Sequence, residues 1–372
     1  MTIRRLAVIG GGRWGRVHQT VAAAAGVAQL VTVARAGDYP TIDALLETPP
    51  DAAIIANAAR LHGATAMRLV QAGVPVLIEK PAAYTVQEAE ALIALSTTRH
   101  CVVMPGLNFL YCRYLTRFAQ QLGAKGCIRA VALRWDDESD ETRYGEAKRY
   151  DAGVSIAMDI MPHIWSILTM LDGSLPWQID RCTLARGGRD AMFALTAGDI
   201  NATVSLAREA KKRVRQAVIT TGNGETISLD FTIEPGHITH AGGSEDADPQ
   251  WREEPSPLAL QWRVFEQHVA ANGWAASHAS LRDSVAFTVA ADAKLQQARD
   301  AALKSGMAGM QECDARYMLR DALAGPLWQA AYYEAGDNAA LNGYASSLIE
   351  KKAAWPLGNE QELLHMLQKA TP

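Results

Sequence analysis

The sequence predicts an α/β unit on a parallel sheet, then an α+β unit on a mainly antiparallel sheet, then a helical C-terminal extension. Three observations carry this expectation. Over roughly the first 118 residues, short wholly apolar runs alternate with helix-permissive stretches, the pattern of parallel strands covered on both faces. Longer segments, several of them alternating and separated by polar or glycine-containing turns, follow to about residue 231, as in an antiparallel sheet with one solvated face. The 372 residues also exceed what one hydrophobic core usually serves. The expected units are 1–118, 119–300 and 301–372.

In the first unit, strands are expected at 6–9, 29–34, 51–56, 75–78 and 101–104, with helices at 16–25, 63–72 and 86–96. In the second, strands are expected at 127–135, 179–186, 191–197, 202–207, 213–220 and 226–231. Helices at 153–171 and 257–300 are expected to cover that sheet, and the acidic stretch 242–257 to be an exposed loop. The tail reads as helical, with Trp328, Tyr332, Tyr333 and Trp355.

Composition excludes several classes. Hydrophobic residues make up 49% and charged residues 20%, with a formal net charge of -4, which leaves no footprint for nucleic acid. No stretch approaches the roughly 20 apolar residues that span a bilayer. The apolar run before the first glycines is too short for a secretory signal, so a cytoplasmic protein is expected. The five cysteines lack C-x-x-C spacing and read as reduced thiols rather than zinc ligands; no metal is expected.

Gly10, Gly12 and Gly15 form G-x-G-x-x-G, with Arg13 and Trp14 inside it, directly after the first strand and opening the first helix. There, glycine lets the backbone approach a pyrophosphate, and the helix N–H groups stabilise the anion. The position reads as a Rossmann dinucleotide loop, the alternative being a glycine-rich βα turn that holds no ligand. A ribose-binding acid is expected about 20 residues on. The residue found there is Arg35, which can pair with a 2′-phosphate and favours NADP(H); Asp38 nearby keeps NAD(H) open.

Glu79-Lys80-Pro81 follows the fourth strand at the carboxyl end, where parallel sheets place ligands. Pro81 keeps Lys80 out of helical geometry, so its ammonium can project into a crevice as a proton donor. Asp159 and His163 are four residues apart on a predicted helix, on one face; the carboxylate can fix the imidazole's tautomer. Pro162 should kink that helix or mark its first turn.

The succession GGGRWG, NAARLH at 57–62, EKP at 79–81 and DIMPH at 159–163 resembles the glucose-fructose oxidoreductase/inositol dehydrogenase/MocA (Gfo/Idh/MocA) family, over roughly residues 3–300. The resemblance implies a Rossmann domain, then a domain on a large open, mainly antiparallel sheet, with the site between them. It makes Lys80 the lysine that contacts substrate and nicotinamide, and Asp159 and His163 the aspartate and histidine of which one commonly handles the proton. Asn57, His62 and Glu79 become candidate cofactor contacts. Three features depart from the family pattern. Gly153 is the lone glycine before the aspartate. Asn108 matches, but Phe109 and Leu110 stand where basic residues are usual, which argues against a strongly anionic substrate. The chain also runs past the usual end. Tyr111 either offers a hydroxyl to substrate or packs in a core.

An oxidoreductase is therefore expected, exchanging a hydride between nicotinamide C4 and a small sugar- or cyclitol-like carbonyl or carbinol, or an imine. Its partners would be a small-molecule substrate and further copies of itself in a homo-oligomer. The alternative is a dinucleotide-binding sensor or partner subunit without turnover.

Overall fold

The structure, a computed structural model, describes residues 2–123, 126–139, 141–143, 146–147, 150, 154–311, 313–315, 317–319 and 321–322. Gly153 and the tail aromatics Trp328, Tyr332, Tyr333 and Trp355 lie outside them. In chain order the elements are β1 (Arg5–Ile9), α1 (Arg13–Ala24), β2 (Gln29–Val33), α2 (Ile42–Leu46), β3 (Ala52–Ile55), α3 (His62–Gln71), β4 (Val76–Glu79), α4 (Val86–Arg99), β5 (Val103–Gly106) and α5 (Arg113–Gly123). There follow β6 (Ile128–Glu138), β7 (Thr142–Arg143), β8 (Glu146–Ala147), α6 (Ile156–Leu171), β9 (Gln178–Ala185), β10 (Asp190–Ala197), β11 (Ile200–Ala210) and β12 (Val214–Thr221). The last described elements are β13 (Thr226–Asp230), β14 (His237–His240), β15 (Gly243–Asp246), α7 (Pro257–Ala270) and α8 (His278–Lys304).

Contacts group the chain into two compact units, and their membership is not linear. The first comprises Met1–Gln121, Met161–Leu175 and Ala247–Val289; the second comprises Leu122–Ile160, Pro176–Asp246 and Ala290–Pro372. The expected boundaries near 118 and 300 therefore miss a segment that returns to the N-terminal unit.

The first unit holds a five-stranded, wholly parallel sheet in the order β2-β1-β3-β4-β5. Alternate side chains serve two cores. Ala7, Ile9, Ile55 and Ile78 pack with Leu69 of α3, Leu92 of α4 and Leu281 of α8. Leu6, Ile54, Leu77 and Met104 pack with Ala22 of α1 and with Trp262, Phe265 and Val269 of α7. Both faces being buried explains the unbroken apolar runs.

The helices at 257–300 were expected over the second sheet, and this is corrected: the stretch is two helices, and α7 and the start of α8 line the first unit's cores. The alanine-rich α1 presents little apolar bulk, and Trp262, Phe265 and Val269, at i, i+3 and i+7, supply it. Phe265→Ala is expected to destabilise the first unit by about 3–5 kcal/mol, measured by urea unfolding. Wild-type stability in that variant would contradict this packing.

The second unit holds an eight-stranded sheet in the order β15-β14-β13-β12-β6-β11-β10-β9. Every neighbouring pair is antiparallel except β6 with β11, which is parallel. Alternation on β12 buries Arg215, Ala217, Ile219 and Thr221 and leaves the residues between them half-exposed, so one face is solvated. Residues 243–246 of the expected acidic loop form the edge strand β15 instead. All four are exposed, so the strand rests on backbone pairing with β14 and carries no apolar period to read.

Candidate dinucleotide-binding and active site

Because the sheet is parallel, every strand delivers its carboxyl end to one edge. Along that edge the chain places Arg35 after β2, the glycine loop after β1, Asn57 after β3, Lys80 after β4 and Asn108 after β5. Five strands at about 4.8 Å spacing spread these residues over roughly 19 Å.

The loop's glycines have separate duties. Gly10 has φ +118°, and a Cβ there would lie 2.5 Å from Ala56 O. A Cβ on Gly15 would lie 2.0 Å from Gly10 O, so α1 can start this close to β1 only with glycine. A Cβ on Gly12 would meet nothing within 4 Å. Gly12 caps α1 without a side-chain bond, so the first N–H groups of the helix face this open side. An open, uncapped, glycine-lined helix start fits a pyrophosphate. Arg13 and Trp14 flank it, both half-buried.

At the end of β2, the Asp38 carboxylate accepts from Thr32 N–H at 2.7 Å and so closes its own turn. Arg35 stands exposed beside it. Asn57 Nδ2 donates to Thr65 Oγ1 at 3.0 Å. His62 is buried; its Nδ1 donates to Pro81 O at 2.9 Å, and its Nε2 lies 3.2 Å from Asn57 O. Burial outweighs those carbonyls and Glu79 and pushes the imidazole's pKa below its ordinary value.

Glu79 does not face an open crevice. Its Oε1 accepts from His18 Nε2 at 2.7 Å, and its Oε2 accepts from Lys80 N–H at 3.3 Å. Burial raises the carboxyl's pKa, yet the bond to His18 and the His18, Lys80 and His62 charges outweigh it and hold Glu79 below the usual range. The Lys80–Pro81 peptide is cis. Lys80 lines a small cavity with Pro81, Pro105, Leu107, Pro162 and Thr288.

Pro162 sits inside α6, next to His163, and residues 161–175 belong with Lys80 in the first unit. The two candidate proton-handling groups thus come from one compact unit, contrary to the expected placement on separate ones. Phe109 packs edge-on against the His163 ring, with centroids 5.0 Å apart, which accounts for an aromatic where a basic residue was looked for. Asp159, one turn earlier, accepts from Arg208 Nη2 at 3.4 Å. Arg208 is buried, also donates to Val154 O and lies over the Tyr150 ring. Burial depresses its pKa, but Asp159 and its other anionic neighbours more than compensate. Asn108 opens a short turn over Asn108–Tyr111. The Tyr111 ring packs against the core containing Trp262, and burial pushes its phenol up to about 12.

His18 and Arg208 escaped the sequence reading. For His18 one signal existed: it follows Gly15 by three residues, on the face of α1 that also buries Gly15 and Ala22. Arg208 had none. A register break between Ala207 and Ala210, with Glu209 at φ 52°, interrupts the alternation there. Among the described residues, no group of three or more His, Cys, Asp or Glu could hold a metal, and no helix is long and apolar enough to cross a membrane.

Glycine loop and five-stranded parallel sheet together form a unit of the Rossmann type, with Lys80 at the end of its fourth strand. Residues 4–107 match the model of the Gfo/Idh/MocA family, described as an oxidoreductase family with an NAD-binding Rossmann fold. It is 29% identical over 272 residues to UDP-N-acetylglucosamine 3-dehydrogenase of Acidithiobacillus ferrooxidans, covering 68% of this chain and 83% of the relative. A crystal structure of UDP-N-acetylglucosamine 3-dehydrogenase from that organism superposes with a TM-score of 0.65 at 24% identity, over 80% of this chain and 99% of that one. An inositol dehydrogenase homologue from Azotobacter vinelandii, complexed with NADH and myo-inositol, shares the fold with a TM-score of 0.66 at 15% identity, over 80% and 96%. So does a 3-ketoreductase from Actinomadura kijaniata in complex with TDP-benzene and NADP, with a TM-score of 0.62 at 20% identity, over 77% and 96%.

Proposed function

We propose that this protein is an NADP(H)-preferring dehydrogenase or reductase acting on a ring hydroxyl or ketone of a sugar- or cyclitol-like substrate. The observation that carries the reading is the succession along one sheet edge: a cation, an open phosphate loop, an amide and a lysine, in the order in which a dinucleotide would meet them. The bound nicotinamide supplies hydride chemistry at C4. Lys80 gives a proton to, or takes one from, the reacting substrate oxygen, and His163 shares that work. Asp159, paired with Arg208, holds a fixed negative charge one helical turn from His163. The sugar nucleotide and cyclitol names of the relatives support the substrate class. The aromatic Phe109 at the family's basic position leaves a less polar ketone or an imine as the competing substrate.

NADPH should quench tryptophan fluorescence, and its absorbance should fall in the presence of a keto-sugar or keto-cyclitol. Tight NADPH binding with no turnover on carbonyl or imine panels would favour the binding-only alternative. Arg35→Ala is expected to weaken NADPH binding about tenfold and leave NADH binding within about twofold. A wild-type protein that binds NADH more tightly than NADPH would overturn the cofactor preference.

A further inference from the structure

We propose that His18 is a positioning residue for Lys80: by holding Glu79, it fixes the main chain of the turn that carries the lysine. The inference rests on the reading that Lys80 works at the substrate. Three buried anchors from three elements meet at this turn. His18 of α1 donates to Glu79 Oε1 at 2.7 Å, and Glu79 Oε2 accepts Lys80 N–H at 3.3 Å. On the other side His62 of α3 donates to Pro81 O at 2.9 Å. Lys80 is thereby held through the peptide groups on both sides, while its own side chain borders the cavity.

Stability alone gives little reason to keep such a pair. The His18 and Glu79 side chains are 3% and 11% exposed, and a buried charged pair is often no more stabilising than well-packed apolar residues of the same size. Removing one member is a different matter, because the other is left buried without its partner. Glu79 also faces the charges of His62 and Lys80, and His18 outweighs both in keeping its carboxylate ionised. The placement of His18 adds a second consequence. It lies one turn beyond Gly15 on the buried face of α1, so the helix that receives the pyrophosphate also holds the anchor of the lysine.

The test uses the full-length protein and two readouts: steady-state kinetics, and the amine-labelling rate of Lys80 followed by peptide mass spectrometry, with Lys304 as internal reference. His18→Leu removes the donor, and His18→Gln restores an N–H near the same place. In His18→Leu, Lys80 should label at least about fivefold faster relative to Lys304, and kcat should fall about tenfold or more with KM values within about threefold. His18→Gln should return both readouts to within about threefold of wild type. If His18→Leu does not fold, His18→Asn replaces it, since its shorter amide cannot span the gap to Glu79. A folded variant lacking the donor that keeps the wild-type labelling rate overturns the proposal, as does one that keeps kcat while Lys80→Ala has lost it. Faster labelling combined with an active Lys80→Ala variant would leave the anchoring intact and instead remove Lys80 from the proposed chemistry.

Discussion

Lys80→Ala is expected to lower kcat by about 10²–10⁴-fold, the usual worth of a positioned acid or base, with NADPH affinity within about threefold of wild type. The split follows from the layout of the site. In the proposed reading, phosphate affinity comes from the glycine loop and Arg35, whereas Lys80 stands at the end of β4, two strands from β1 and three from β2. Its turn is held by Glu79, His18 and His62 through side chains other than its own, so truncating Lys80 leaves those buried anchors in place. Fluorescence titration of NADPH and stopped-flow consumption of NADPH separate the two quantities. Turnover unaffected by the substitution would remove Lys80 from the reaction.

The second large effect concerns the loop. Gly15→Ala places a methyl group 2.0 Å from Gly10 O, and Gly10 has no room to retreat, since its own Cα hydrogens already face Ala56 O. Loss of NADPH binding by at least about a hundredfold is expected, roughly 2.7 kcal/mol, together with a lower Tm. Gly12→Ala is the informative contrast. Gly12 has φ -72°, which alanine adopts freely, and its Cβ would point into open space. That variant should fold with an unchanged Tm yet bind NADPH about tenfold more weakly, because the new methyl group occupies the side from which a pyrophosphate approaches. Undiminished affinity in Gly12→Ala would mean that the glycine-rich turn serves folding alone.

Much of the first unit was legible because its signals are local. An apolar run of four or five residues, a glycine turn and a helix start lie within one stretch of chain, and β1, β2, β3 and β4 fall within one or two residues of their expected bounds. The strand after α4 was read two residues early, since Cys101 and Val102 are as apolar as the strand itself and no turn residue separates them. Lys80 became a candidate because it follows a readable strand, Arg35 because it falls about 20 residues after the glycine loop, and Asn57 through the family resemblance; all three stand just past the carboxyl ends of strands. Glu79 shows where this reasoning stops. The motif marked it as a cofactor contact, but its partner His18 is 61 residues away in the chain.

By itself, then, the sequence determined the succession of strands and helices in the N-terminal unit, the phosphate loop and the lysine at the end of β4. These depend on interactions between residues near one another in the chain. Only the tertiary structure decided that α7 and the start of α8 return to cover the first sheet, that β6 lies parallel to β11, and that Asp159 pairs with Arg208. It also decided that Glu79 turns inward to His18. A hydrophobic period shows that a face must be covered without saying by what. A polar residue among apolar ones likewise does not reveal the distant partner that makes its burial tolerable.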